Sequence, residues 1–300
     1  MNISELKTPI RIYWDLAPHE PGQDLDYLQI AEQIVGLKIL SLDLTETASA
    51  VSHACLAILE RLSLERIAVS LTLSLEAITP AVLSQLSRLR LKVLFASVTN
   101  SADLPAVQAL RQSLPGAAGL QIGVSCAVTR GNCHDLPAIL SFCVACGAPL
   151  VLPMQRLEMG GDCFQLGKAE RQELAGRLRE VGNLDKMRVT IHDPFLWRVF
   201  FPAVSFPNGS CQAANTMLHI AANGDVYPCP SLPVRLGSLA TTPLSVIAVS
   251  PEKMNLRARL VSPPQGCLAC AEVSNCLGGC RGRGYCVTDS WDEPDPGCGE

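Results

Sequence analysis

AANGDVYPCP, at positions Ala221–Pro230, lies within the most informative part of this 300-residue sequence. Eight of the 14 cysteines fall between Cys211 and Cys298, and the cluster Cys267–Cys280 separates four of them by two, five and three residues. Deprotonated thiols are soft ligands, and such short spacings let a looping backbone direct several sulfurs at one metal centre. Seven thiolates in this order, with Cys286 set aside, indicate two centres rather than one.

A β-hairpin is predicted around the same stretch. Thr216–Ile220 has the alternation of a half-buried strand, the Asn223–Gly224 pair is preferred in two-residue turns, and Asp225–Tyr227 forms the returning strand. With that turn, Cys229 is expected opposite Leu218. The segment that carries the preceding cysteine must then fold back to reach the same centre.

Three interpretations of the cysteines are open at this point. A disulfide scaffold requires an oxidising compartment, and the sequence contains no pattern typical of a secretory signal. Structural zinc usually takes paired Cys-x2-Cys knuckles, whereas Cys267 and Cys270 form one knuckle without a second. Iron–sulfur clusters use up to four cysteines each and tolerate an incomplete set, so they are the favoured interpretation.

Composition narrows the functional class. Hydrophobic residues make up 48% of the chain, the net charge is −4 and the pI is near 5.8. Neither nucleic acid nor an anionic membrane is expected as a partner of such a chain. Charged residues or proline interrupt every apolar run before the roughly 18–20 residues needed to span a bilayer. Abundant cysteine without a secretory pattern predicts a reducing, cytoplasmic location.

The first two thirds of the chain alternate strand and helix patterns, which predicts βαβ units and a parallel sheet. The predicted strands are Arg11–Leu16, Lys38–Leu44, Ile67–Leu73, Lys92–Val98, Leu120–Val128, Pro149–Gln155 and Met187–His192. The predicted helices are Leu25–Val35, Ala50–Leu62, Thr79–Leu89, Leu104–Leu114, Leu136–Cys146 and Lys168–Val181. Six such units indicate an open or partial barrel, and a doubly wound sheet stays open as the alternative.

The cysteine-rich tail resembles the SPASM domain that follows the barrel of many radical SAM peptide-modifying enzymes. The resemblance covers about ninety residues and rests on the cysteine spacing and on three words: Ala221–Pro230, Gly278–Gly282 (GGCRG) and Asp295–Cys298 (DPGC). It implies an α/β fold consisting of a degenerate, radical-SAM-like partial (β/α)6 barrel at 1–205, followed by a small SPASM domain at 206–300. An unrelated α/β domain fused to a SPASM module is the alternative.

Two features of a catalytic radical SAM barrel are missing from the sequence. Active sites of such sheets lie in loops at the carboxyl ends of the strands. The family places a Cys-x3-Cys-x2-Cys set after the first strand, whereas Ala17–Asp24 reads APHEPGQD and has no cysteine. The family also has a Gly-Gly-Glu-Pro segment after the second strand, whereas Asp43–Ala48 reads DLTETA. S-adenosylmethionine is therefore not expected as a cofactor, and no catalytic residue is assigned.

The resemblance implies two [4Fe–4S] clusters and assigns their ligands. The auxiliary I set is Cys211, Cys229 and Cys280, which leaves one iron open unless Cys286 or Cys163 reaches it. The auxiliary II set consists of four thiols, namely Cys267, Cys270, Cys276 and Cys298.

Over its whole length, the chain resembles the SPASM domain protein of the GeoRSP system. That resemblance implies an accessory protein for the maturation of ribosomal peptides, with three partners: a radical SAM/SPASM maturase, a PqqD-like peptide-binding protein and a precursor peptide. A divergent radical SAM enzyme, with a cluster built from Cys126, Cys133 or Cys163, is the first alternative. A structural zinc protein is the second.

Overall fold

The computed structural model describes residues 5–16, 25–114, 119–161, 163–182, 184, 187–204 and 211–298. The predicted cysteine-free loop Ala17–Asp24 lies outside these residues. All seven strands predicted in the first two thirds are present. Their bounds are β1 Arg11–Leu16, β2 Ser41–Glu46, β3 Ala68–Ser74, β4 Val93–Val98, β5 Ile122–Cys126, β6 Leu150–Leu152 and β7 Val189–Ile191.

The six predicted helices connect these strands, and polar caps explain where several begin. Asp26, Ser52 and Thr79 each accept a hydrogen bond from the first turn of the helix that follows. Gly147, in the left-handed conformation, ends the fifth. The helices are α1 Tyr27–Gly36, α2 His53–Leu62, α3 Pro80–Leu86, α4 Leu104–Ser113, α5 Leu136–Cys146 and α6 Lys168–Val181, and α7 Pro194–Phe200 follows β7.

The tail adds short elements to the same sheet. It contains strands β8 Met217–Ile220, β9 Asp225–Tyr227 and β10 Gly237–Ser238, and helices α8 Leu244–Ile247, α9 Pro251–Val261, α10 Val273–Cys276 and α11 Arg281–Thr288. The strand order is β10-β9-β8-β1-β2-β3-β4-β5-β6-β7, and β8 pairs with β1 in parallel. The sheet therefore continues from the barrel half into the tail. The predicted boundary at 205/206 falls among undescribed residues and stays a prediction.

The two faces of the sheet differ in polarity. Side chains that point toward the helices, such as Ile12, Trp14, Leu42 and Leu44, are fully buried and form the core. The register places polar residues side by side on the opposite face, for example Tyr13, Asp43 and Ser70 on β1, β2 and β3. A closed barrel fills its interior with branched apolar side chains. The polar inner face instead belongs to an open cleft.

Contacts across the inner face show that the sheet curls. Tyr13 on β1 and His192 after β7 are six strand positions apart, which is about 29 Å in a flat sheet at the usual strand spacing. The Tyr13 hydroxyl nevertheless lies 3.3 Å from Nε2 of His192. Arg156, after β6, likewise makes two hydrogen bonds to Asp15 on β1, at 2.8 and 2.6 Å. The partial barrel is therefore the correct alternative, and the doubly wound sheet is not.

The tail hairpin forms as predicted, but its register differs by one residue. His219 pairs with Tyr227, so the same register extended to Cys229 brings it opposite Met217 rather than Leu218. The reason is a three-residue loop, because Ala221 N donates to Asp225 O at 2.9 Å and closes the hairpin one residue earlier. Gly224 is left-handed in this loop, with φ +81°, as in a type I turn followed by a bulge.

No helix within the described ranges combines the length and the apolar composition needed to cross a bilayer.

Gly224→Ala should destabilise the chain by about 1–2 kcal/mol, because a side chain disfavours the left-handed conformation. An added Cβ would also lie 2.9 Å from Cδ2 of Leu25. Denaturant unfolding followed by circular dichroism measures the difference. The matched control is Gly36→Ala in α1, where an added Cβ meets no atom within 4 Å and stability should stay equal or rise. Equal stability of the Gly224 variant and the wild type would contradict the loop geometry.

Candidate metal centre

The auxiliary I set shares one cavity. Cys211, Cys229 and Cys280 line a cavity of about 380 Å³ between the carboxyl end of the barrel sheet and the tail. Most of its remaining wall is apolar and includes Met154, Phe164 and Trp197. The structure thus brings together three thiols that are up to 69 positions apart in sequence.

A close backbone approach brings Cys229 and Cys280 together. Cys280 precedes α11, and Gly282 in the first turn of that helix lies against Ser231, two residues after Cys229. A Cβ on Gly282 would lie only 2.2 Å from the carbonyl oxygen of Ser231, so glycine is required there. Cys211 reaches the same cavity because the chain before β8 folds back, with Ala214 N donating to Pro228 O at 3.0 Å.

The auxiliary II set lines a second cavity of about 250 Å³. Its thiols are Cys267, Cys270, Cys276 and Cys298. Tight turns hold them, since Cys270 N donates to Cys267 O at 3.0 Å and Cys298 N donates to Asp295 O at 2.9 Å. Leu277 and the two glycines after it have positive φ angles and turn the chain between Cys276 and Cys280. This reversal directs Cys280 to the first cavity, whereas Cys276 lies at the wall that both cavities share.

Cys276 lines both cavities, together with Phe195 and Arg171. Its electrostatic neighbours favour the second set. Burial raises the pKa of Cys276, and the charges of Cys298 and Cys267 raise it further. The assignment of this thiol to the auxiliary II set stays a prediction that these neighbours support.

Backbone N–H groups near the sulfurs oppose the effect of burial on the thiol pKa values. Burial raises the pKa of Cys229 well above its usual range, and the N–H groups of Ser231 and Leu232 oppose the rise. The same pattern of donors two or three residues later recurs at Cys211 and Cys276. Hydrogen bonds from amides stabilise thiolates and tune iron–sulfur clusters. The backbone of these loops therefore favours the thiolate form of each cysteine.

The thiols also destabilise one another's charged forms. Burial, together with the charges of Asp295 and Cys211, raises the pKa of Cys280 to about 12. The charges of Cys211 and Cys280 in turn raise the pKa of Cys229. A bound metal cation has the opposite effect on the thiol pKa values, because it deprotonates a coordinating thiol outright. The donor set therefore fits a metal centre.

An orphaned donor supports the same conclusion. The indole nitrogen of Trp197, which lines the first cavity, is buried and has no hydrogen-bond partner within the described part of the chain. A buried donor without an acceptor is costly, so such groups usually meet an ion, water or ligand.

No group of three or more His, Cys, Asp or Glu side chains within the described ranges is arranged to hold a single metal ion. The cysteine sets are instead spread around cavities.

A buried ion pair joins the loops of the two sets. Arg283 on α11 donates to both oxygens of Asp295, at 2.6 and 2.8 Å, and also binds Asp193, the N-cap of α7. Asp295 further accepts hydrogen bonds from Cys280 N at 2.7 Å and Gly297 N at 2.8 Å. Burial alone would lower the pKa of Arg283, but its hydrogen bonds and the two carboxylates raise it. Burial raises the pKa of Asp295 despite the opposing contacts with Arg283. The hydrogen bonds of the pair, together with those from Cys280 N and Gly297 N, connect both cysteine loops.

Two further arginines of the tail, Arg257 and Arg281, also have structural contacts. Arg257 pairs with Glu5 at 2.8 Å and donates to the Cys211 carbonyl at 2.5 Å. Arg281 is buried and donates to the carbonyls of Ser262 and Trp291. These residues attach the cysteine loops to the rest of the tail.

Charged groups on the inner face of the sheet connect β1 with β8 and with the loop after β6. His219 lies 2.8 Å from Asp15, which also binds Arg156. Burial alone would raise the pKa of Asp15, but the hydrogen bonds from His219 and Arg156 lower it to about 2. Burial and the charges of Arg11 and Arg156 lower the pKa of His192 to about 4, so this imidazole is neutral near pH 7.

The carboxylate after the second strand is already used by the fold. Glu46 is buried at the end of β2 and accepts two contacts from the backbone N–H of Ser52, at 3.3 and 3.2 Å. Ser52 is the N-cap of α2, so the carboxylate binds the start of that helix. The segment after β2, where the resembling family has Gly-Gly-Glu-Pro, therefore has a local structural role here.

The remaining cysteines are dispersed. Cys126 is buried in the core beside Asn132, whereas Cys133 is half-buried and contacts the carbonyl of Arg130. Burial and the charge of Cys163 together raise the pKa of Cys286 to about 11, so these two thiols are neighbours. Neither lines the first cavity. Their predicted role as a fourth auxiliary I ligand is therefore still a prediction.

The sequence patterns did not reveal three residues of this site. Trp197 belongs to none of the predicted elements, and Asp295 appeared only as part of the DPGC word. Arg171 on α6 donates to Gly297 O at 2.5 Å and Cys298 O at 2.9 Å. No local sequence pattern indicates a contact between residues that lie so far apart in the chain.

Arg283→Ala should lower the free energy of unfolding by roughly 3–5 kcal/mol, because it leaves buried carboxylates without a counter-charge. The matched control is Arg198→Ala, which removes an ion pair with Glu272 whose side chains are 40% and 44% exposed. That exposed pair should contribute less than about 1 kcal/mol. Denaturant unfolding compares the two variants. A similar loss in both would contradict the structural role of the buried pair.

Part of the tail matches a known protein family. Residues 211–271 match the SPASM family, an iron–sulfur cluster-binding domain. The match ends before Cys276, Cys280 and Cys298. No curated protein matches the chain in sequence.

Solved structures match over almost the whole chain. Streptococcus suis SuiB bound to S-adenosylmethionine superposes with a TM-score of 0.70 at 13% identity, over 97% of this chain and 75% of SuiB. Native anSMEcpe with bound AdoMet gives 0.65 at 14% identity, over 97% and 94% of the two chains. The anSMEcpe complex with AdoMet and the Kp18Cys peptide gives 0.63 at 15% identity, over 96% and 94%. The chain therefore has the fold of the radical SAM/SPASM enzymes, and its residues 211–271 form a SPASM iron–sulfur cluster-binding domain.

Proposed function

We propose that the chain is an accessory iron–sulfur protein of a peptide-maturation system and binds two [4Fe–4S] clusters, one at each cysteine set. The auxiliary I set supplies three thiolates and leaves one iron open, whereas the auxiliary II set supplies four. When bound, the clusters supply one-electron redox chemistry. The chain's own residues hold the sulfurs, and backbone N–H groups near Cys211, Cys229 and Cys276 favour the thiolate forms. The observation that carries this proposal is the arrangement of seven cysteines around two adjacent cavities, with Cys276 at the wall that the cavities share.

The catalytic step is proposed to belong to a partner. The loop Ala17–Asp24 has no cysteine to ligate a cluster that cleaves S-adenosylmethionine, and Glu46 is engaged at the start of α2. Cys126, Cys133 and Cys163 lie in different environments, which does not favour a replacement cluster. We expect S-adenosylmethionine not to be a cofactor of this chain.

The proposed partners follow from the family resemblance. They are a radical SAM/SPASM maturase, a PqqD-like peptide-binding protein and the precursor peptide. The open polar cleft of the sheet offers space for peptide presentation, and the two cavities offer a path for electron relay. Besides peptide presentation and electron relay, structural docking with the maturase is the third proposed way in which the chain supports catalysis. A cytoplasmic location is part of the proposal, because thiols and clusters of this kind persist in a reducing compartment.

Alanine substitution of the cysteines should separate the two clusters. The wild-type chain, isolated or reconstituted without oxygen, should contain about eight iron and eight sulfide, and each substitution should remove about four of each. Loss of Cys211, Cys229 or Cys280 should remove one electron paramagnetic resonance signal. Loss of Cys267, Cys270, Cys276 or Cys298 should remove the other. Iron and sulfide analysis with spectra of the reduced protein measures both.

The matched control is Cys143→Ala, which removes a buried thiol of α5 that lines neither cavity. It should retain both clusters. Loss of the same signal from a member of each set would contradict the division into two sites. Colourless protein with about two zinc and no sulfide would instead support the structural zinc alternative.

The isolated chain should not cleave S-adenosylmethionine reductively, because the loop Ala17–Asp24 has no cysteine to ligate a cluster. The assay measures 5′-deoxyadenosine from the cluster-loaded chain with a chemical reductant, and a complete radical SAM enzyme serves as the positive control. Formation of 5′-deoxyadenosine by the chain alone would overturn the accessory role and favour the divergent enzyme. Co-purification with the maturase tests the partner directly.

A further inference from the structure

Arg171 stands at the wall between the two cavities. It belongs to α6 of the barrel half, yet its side chain lines both cavities, together with Phe195 and Cys276. Its guanidinium carbon lies 5.4 Å from the centre of the Phe195 ring. A single side chain from the barrel therefore faces both cysteine sets.

Two hydrogen bonds fix its position. Nη1 donates to the carbonyl of Gly297 at 2.5 Å, and Nη2 donates to the carbonyl of Cys298 at 2.9 Å. These carbonyls belong to the loop that carries the last auxiliary II thiol. In the described part of the chain, Arg171 makes no hydrogen bond to an auxiliary I loop, so any effect on that set acts through charge.

The charge of Arg171 is not neutralised by the residues that bind it. Arg283 lies against two carboxylates, and Arg198 is paired with Glu272. Arg171 instead binds two neutral carbonyls, and within the described ranges no carboxylate lies within ion-pair distance of it. Its guanidinium thus provides a net positive charge to both cavities.

We propose that Arg171 stabilises the reduced state of both clusters at once and thereby raises both reduction potentials. This inference rests on the proposed function. Reduction adds one negative charge to a cluster, and a nearby fixed positive charge favours that form by Coulomb attraction. Because the wall is shared, one residue tunes both centres, and a residue of the barrel half is needed to do so. Arg171 is a positioning and tuning residue that ligates neither cluster.

Potentiometric titration of the cluster-loaded chain, followed by electron paramagnetic resonance, tests this inference. Arg171→Gln should shift both potentials to more negative values, whereas Arg171→Lys, which keeps the charge, should stay close to the wild type. Arg171→Met, with its unbranched stem above Phe195, is measured in parallel and should shift both potentials as Arg171→Gln does. The matched control is Arg177→Gln on the exposed side of α6, which changes the same charge and should leave both potentials unchanged.

The outcomes separate charge from loop positioning. A shift of the auxiliary II potential alone, or a shift in Arg171→Lys as large as in Arg171→Gln, would overturn the inference and assign Arg171 only to holding the Cys298 loop. Unchanged potentials in all three variants would overturn it as well. A wild-type chain that takes up fewer than two clusters would overturn the proposed function and this inference together. Two clusters with unshifted potentials would overturn only this inference.

Discussion

The buried ion pair between Arg283 and Asp295 is the interaction on which the arrangement of the tail depends. Asp295 accepts hydrogen bonds from the backbone N–H groups of Cys280 and Gly297. Cys280 is a member of the auxiliary I set, and Gly297 precedes Cys298 of the auxiliary II set. Arg283 extends the same contact to Asp193 at the start of α7. Because both charges are buried, neither can lose its partner without leaving an uncompensated charge. One pair therefore fixes two cysteine loops and a barrel helix in a single geometry.

The division of the cysteines follows from backbone geometry as much as from their spacing. Positive φ angles at Leu277, Gly278 and Gly279 reverse the chain between two closely spaced cysteines. Gly282 then allows α11 to pack against the loop after Cys229. A chain with the same cysteines but with side chains at these glycines would not bring Cys280 to Cys229. The GGCRG word at Gly278–Gly282 thus has a steric explanation in this molecule.

Much of the fold could be predicted from periodicity. Leu136–Cys146 and Lys168–Val181 form helices over the predicted ranges, and seven strands form within a few residues of their predicted positions. The parallel pairing of β8 with β1 joins residues about two hundred positions apart, and no local pattern encodes such pairing. The hairpin register also differed, because the Asn223–Gly224 pair serves a two-residue and a three-residue loop equally well. The grouping of cysteines came from family resemblance, and Arg171, Trp197 and Asp295 came only from tertiary contacts.

The central claim is that this tail holds two separate iron–sulfur clusters against a barrel that has lost its own. Diffraction from anaerobic crystals of the loaded chain at the iron absorption edge tests it most directly. The account predicts two compact iron peaks, one in the cavity of Cys211, Cys229 and Cys280 and one in the cavity of Cys298, with none at the mouth of the barrel. A third peak at that mouth, a single peak shared by all seven thiols, or cystine bridges among them would contradict it.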